Sequence, residues 1–140
     1  MMNKTFPPSS GEYEEWDREE NTKYKIEIHN SAIRVARRIY PLRGYGNYEE
    51  LVVELKILRK YASIEVYYLR NSWNGSGYFP VCQEKVPRNV FDDIIHNTIN
   101  KHNIHDVKSI WRGMFEMVGN YLKEMEKCPS AVWVLFSPPS

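Results

Sequence analysis

From Asp106 to Lys127 the apolar residues recur at helical spacing, with Ile110, Trp111, Met114, Phe115, Val118, Tyr121, Leu122 and Met125 on one stripe. No other feature constrains the fold as strongly, because so wide a stripe must be buried against another element. Pro129 stops the pattern. Other segments follow a different period. Tyr24, Ile26 and Ile28 alternate with Lys25, Glu27 and His29, and Ile64, Val66 and Tyr68 alternate likewise, which is strand spacing. The run Ala131 to Phe136 (AVWVLF) is a short buried-strand candidate.

Between these anchors the signals are mixed. Asn30-Ser31 marks a turn, and Ala32-Ile33-Arg34-Val35 either returns as a strand or opens a helix. Tyr48 to Tyr61 is expected to be helical, with Leu51, Leu55 and Leu58 on one face and Glu49 and Glu50 in the first turn. Residues 71–80 (NSWNGSGYFP) are expected to form a loop. Pro87-Arg88-Asn89 opens a helix that lines up Val90, Phe91, Ile94 and Ile95. The expected fold class is α+β, a small sheet packed by three helices in a single domain. An all-α helical bundle is the alternative, since Leu51, Leu55, Leu58, Ala62, Val66 and Leu69 also fit one continuous helix. The β-branched and aromatic run Ile64 to Leu69 favours the sheet.

A chain of 140 residues suits one domain. The acidic residues 1–22, opened by Pro7-Pro8-Ser9-Ser10, are expected to stay disordered. Residues 23–136 form the globular domain and residues 137–140 a loose end. No apolar run approaches the ~20 residues of a membrane helix and no signal-peptide pattern is visible, so an intracellular, soluble chain without membrane contact is expected.

Net charge is +1, which excludes a uniformly basic nucleic-acid coat, but its distribution is uneven. Residues 1–28 carry four basic and seven acidic groups, residues 29–70 eight and four, and residues 71–140 seven of each. The basic excess centres on Ile33 to Tyr48 (IRVARRIYPLRGYGNY), which holds four arginines, three tyrosines, two glycines and no acid. Arginine forks match phosphate geometry and tyrosine rings stack on unpaired bases. Arg34, Arg37, Arg38 and Arg43, with Tyr40 and Tyr45, are therefore the candidate nucleic-acid-binding residues. On a helix the first three arginines share a face. On a strand Arg34 and Arg38 point one way and Arg37 the other.

Two histidines sit in His-x-Ser/Thr patterns, His29-Asn30-Ser31 and His96-Asn97-Thr98. This resembles the two-histidine phosphoesterases, small α+β enzymes with two such motifs on facing strands. The resemblance implies His29 and His96 as base and acid on a nucleotide phosphodiester, with Ser31 and Thr98 contacting the phosphate. His96, His102 and His105 are close in sequence, but they lack the paired spacing of a structural zinc site, and Cys82 and Cys128 stand isolated. No metal and no cofactor is expected. Methionines 114, 117 and 125 beside Trp111 and Phe115 form a stripe that suits either a core or a partner groove.

The functional expectation is a non-enzymatic binding module that engages RNA or another polyanion through the Arg/Tyr segment. Two alternatives stand beside it. One is a protein-interaction or assembly subunit, including a homodimer, of a size common among viral and mobile-element accessory proteins. The other is a small two-histidine phosphodiesterase.

Overall fold

Polar and apolar residues alternate through most of the chain before Pro87, and that half folds as sheet. The computed structural model describes residues 10–40, 47–72 and 74–125. Six antiparallel strands lie side by side in chain order: β1 Gly11–Asp17, β2 Thr22–Ile28, β3 Ala32–Ile39, β4 Tyr48–Ile57, β5 Ala62–Ser72 and β6 Gly75–Val86. Helix α1 (Arg88–Asn97), a 3₁₀ turn (Ile99–Lys101) and helix α2 (Val107–Met125) follow.

Both helices pack on one face of the sheet, α2 across β1, β2 and β3 and α1 against β4 and β5. The core lies between the layers. Tyr24, Ile26, Ile28, Ile33, Val35, Leu51, Val53, Leu55, Ile64 and Val66 project from the strands. Phe91, Ile94, Ile95, Ile110, Trp111, Met114, Val118 and Leu122 meet them from the helices. Trp111 stacks on Phe115 with ring centroids 4.8 Å apart and leans on Tyr24 at 6.4 Å. The N-terminus of α2 is held from across the molecule. Glu15 accepts the Lys108 backbone N–H at 3.0 Å, and Lys108 Nζ pairs with Asp17. A carboxylate at a helix N-terminus satisfies a free amide and complements the helix dipole. The Lys108 ammonium in turn holds the Asp17 carboxyl below the usual carboxylate range.

These observations correct the expected architecture. The protein is mostly a six-stranded sheet with two helices, neither a small sheet under three helices nor an all-helical bundle. Tyr48 to Tyr61 is not a helix. It contains β4, a central strand whose Leu51, Val53 and Leu55 face the helices while Val52 is buried on the other side. A strand buried on both faces reads as a continuous apolar run, and spacing of four fits it as well as spacing of two. Residues 71–72 and 74–80 are not a loop but belong to the turn end of the β5–β6 hairpin, in which Tyr68, Leu69 and Arg70 pair with Phe79, Tyr78 and Gly77. Gly11–Asp17, expected to lie in the disordered tail, is the edge strand β1. The Ala131 to Phe136 strand candidate lies outside the described residues.

Candidate interaction surface

Strand geometry divides the arginines of the basic stretch between two environments. Arg37 stands on the helix-covered face between Tyr24 and Leu51, with its guanidinium 5.9 Å from the centre of the Trp111 ring. Arg34 and Arg38 stand on the opposite, open face, and both are neutralised there. Arg34 Nη1 lies 3.3 Å from Glu27 and its Nη2 3.8 Å from Glu54. Arg38 Nε donates to Glu50 at 2.6 Å, and Lys25 Nζ reaches the same oxygen at 3.4 Å. Lys56 adds a contact to Glu54 at 3.8 Å. Glu50 is only 4% exposed, so this network is partly dehydrated and its charges are strongly coupled. Arg43 and Tyr45 lie outside the described residues.

Tyr40 joins an aromatic group at the end of the same face. Arg38 lies over the Tyr48 ring at 3.9 Å and donates to the Tyr40 hydroxyl at 3.3 Å. Tyr40 contacts Tyr48 at 6.1 Å and Trp16 at 5.4 Å between centroids. The structure thus brings together Arg38 and Tyr40 and adds Trp16 and Tyr48. It places Arg34 further along β3 and Arg37 on the other face.

The register draws one row across all strands of the open face: Trp16, Lys23, Arg38, Glu50, Leu69, Tyr78. Its centre is the pair of half-buried Arg38 and buried Glu50, and each end is an exposed ring, Trp16 at 42% and Tyr78 at 53%. Ile39 and Phe79, also exposed, sit within a residue of this row but point to the other face. Phe79 is held in place because Gly77 passes beneath it; a Cβ there would come within 2.7 Å of the Phe79 ring. A groove of about 300 Å³ between Glu49, Tyr68, Leu69, Arg70 and Phe79 lies at this same end.

Beside the row, Tyr67 and Tyr78 pack at 5.1 Å between centroids and donate their hydroxyls to Glu54 and Glu65. Burial and the Glu54 carboxylate raise the Tyr67 phenol despite nearby Arg34. For Tyr78 the bond to Glu65 is the main cause of a raised value. Both rings therefore act as neutral hydroxyl donors. This aromatic strip was missed because residues 71–80 read as a loop. The alternation of Tyr78 and Pro80 with Phe79 and Val81 was the available signal.

The histidine motifs occupy separate elements. His29 follows β2, is exposed, and lies 3.9 Å from Glu27. Ser31 is in the following turn, and its carbonyl accepts the Ile57 N–H. His96 is exposed near the C-terminus of α1. Thr98 is wholly buried, and its hydroxyl donates to the Ile94 carbonyl at 2.6 Å, so it already has a partner within the helix end. Among the described residues no group of side chains is arranged to hold a metal ion, no cysteine is a free thiol, and no helix is long and apolar enough to cross a membrane. Compared with protein-family models, curated proteins and solved structures, the chain shows no significant match.

Proposed function

We propose that the chain is a non-enzymatic assembly subunit that joins a protein partner, a second copy in the simplest case, through the aromatic end of its open sheet face. The observation that carries this reading is the cross-strand row with exposed Trp16 and Tyr78 at its ends and a compensated ion pair at its centre. Large rings with polar tips supply contact area at low entropic cost and concentrate in protein interfaces. The sheet edges favour side-chain docking over strand addition. β6 carries Pro80 and, opposite Val66 and Tyr67 of β5, a bulge at Val81, and β1 carries Glu12, Glu14, Glu15 and Asp17, all devices that discourage edge pairing.

A polyanion is the competing partner, favoured by the contact of Arg38 with Tyr40. A phosphate there would have to displace Glu50 from Arg38, and separating a buried pair costs about 3–5 kcal/mol. The two readings separate in solution. Sedimentation of the full chain across a concentration series is expected to show association that changes little with salt. Tyr78→Ser should weaken it at least tenfold, as loss of an interface tyrosine worth about 1.4 kcal/mol or more does. A chain that stays monomeric throughout and binds single-stranded homopolymer RNA with a steep salt dependence would overturn the proposal in favour of the polyanion.

A further inference from the structure

The turn of the β5–β6 hairpin contains a chemically reactive backbone site. Of the eleven asparagines in the chain only Asn74 precedes a glycine. It is exposed at the turn, and Gly75 has nothing within 4 Å of where a Cβ would stand. The Gly75 position therefore carries no side chain of its own and has no packed neighbour on its Cβ side. Ser72 Oγ lies 2.5 Å from Asn74 Oδ1 and 3.1 Å from the Gly75 carbonyl oxygen. Its single hydroxyl proton is placed to polarise the side-chain carbonyl, the nearer of these two acceptors. Ser76 Oγ, 2.9 Å from Asn71 Oδ1, braces the first cross-strand rung behind it.

We propose that Asn74 is a self-modification site at which the folded hairpin converts asparagine to isoaspartate and aspartate, with Ser72 as the positioning residue. The backbone nitrogen of Gly75 attacks Cγ of Asn74, a N–Cγ bond forms, and negative charge collects on Oδ1, where Ser72 donates. The Cγ–Nδ2 bond then breaks, and ammonia leaves carrying the proton given up by the Gly75 amide. Water opens the resulting succinimide at either carbonyl. One product is aspartate on an unchanged backbone. The other is isoaspartate, whose main chain runs through the former side-chain carbons. The reaction consumes one water and no oxidant or reductant.

Two other asparagines, Asn21 and Asn97, lack this arrangement. The Asn21 amide donates to the Tyr40 carbonyl at 2.9 Å and the Asn97 amide to the Asp93 carbonyl at 2.8 Å. Each precedes a threonine, whose branched side chain obstructs the approach of its own nitrogen. Conversion at Asn74 places a new carboxylate beside the first residue of β6 and, in the isoaspartate form, adds a carbon to the hairpin backbone.

Incubating the full chain in mildly alkaline buffer and mapping its peptides by a fragmentation method that distinguishes isoaspartate tests the site. Both products should accumulate at Asn74 ahead of every other asparagine. Asn74→Gln should abolish them. Ser72→Ala should slow the reaction about tenfold, the cost of losing one hydrogen bond to a developing charge, and Ser72→Thr should restore it. The Ser72→Ala effect should vanish in urea, where the hairpin is lost. Conversion no faster than at the other asparagines, or a Ser72→Ala rate equal to wild type in the folded chain, would overturn the proposal.

Discussion

Replacing Arg38 by alanine tests how the basic stretch is used. Its guanidinium is bonded to Glu50 at 2.6 Å and stacked on Tyr48 at 3.9 Å, with both partners of the ion pair largely out of water. Removing one member of a buried pair costs about 3–5 kcal/mol because the other charge is left behind. Lys25, at 3.4 Å from the same carboxylate, remains to share that charge, which places the electrostatic loss near the lower limit, about 3 kcal/mol. Loss of the cation–π contact adds about 0.5–1 kcal/mol. Urea unfolding followed by tryptophan fluorescence, with a slope of about 1–3 kcal/mol per molar, should show the midpoint fall by roughly 1–4 M. The double variant Arg38→Met/Glu50→Leu should recover most of the loss, since apolar replacements of a buried pair are often neutral or stabilising. Lys25 then keeps Glu27 at 3.8 Å. An Arg38→Ala effect within about 0.5 kcal/mol, the range of an ordinary surface substitution, would refute the reasoning and return Arg38 to the role of a free anion ligand.

Two further predictions concern the core. Trp111→Ala should cost about 3–5 kcal/mol, because the indole is almost wholly buried and stacked on Phe115; calorimetry or urea unfolding reads it. The Tyr24 phenol is pushed up to about 12 by burial and by its bond to Glu20, so the folded state holds that proton more tightly than the unfolded chain does. Its contribution is complete below the ordinary tyrosine value of about 10 and is lost as pH rises through the folded value. Tyr24→Phe should flatten the alkaline part of the stability curve in that window.

The sequence revealed those elements whose pattern depended on one face alone. The stripe from Ile110 to Leu122 marks α2 because every turn returns to the same core, and Tyr24, Ile26 and Ile28 mark β2 because their neighbours are charged. β4 defeated the same reasoning. Val52 beside Leu51 and Val53 erased the alternation, since both faces of a central strand exclude water. β1 and the turn end of β6 were obscured for the opposite reason, as edge strands rich in acids, glycine and proline resemble loops. The Arg34, Arg37 and Arg38 run was visible, but its electrostatic meaning was not. Glu50 and Glu54 look like helix-start and helix-surface residues in sequence, and only pairing of β3 with β4 sets them against Arg38 and Arg34. Periodicity reports burial of one face; charge compensation across strands is a property of register.

The strict chain order of the strands, with both helices after them, has a consequence for how the protein is made. Every sheet contact joins a strand to its immediate successor, so the whole meander can pair as it leaves the ribosome. Its apolar face cannot be covered then, because α2 is synthesised after it and clasps β1 from 91 residues away, Lys108 on Asp17. At translation rates of about 5–20 residues per second, the stretch from Val86 to Met125 leaves that face bare for several seconds. The nascent sheet is a ready client for a holding chaperone, and a chain cut short before α2 would be cleared or aggregate without reaching a stable fold.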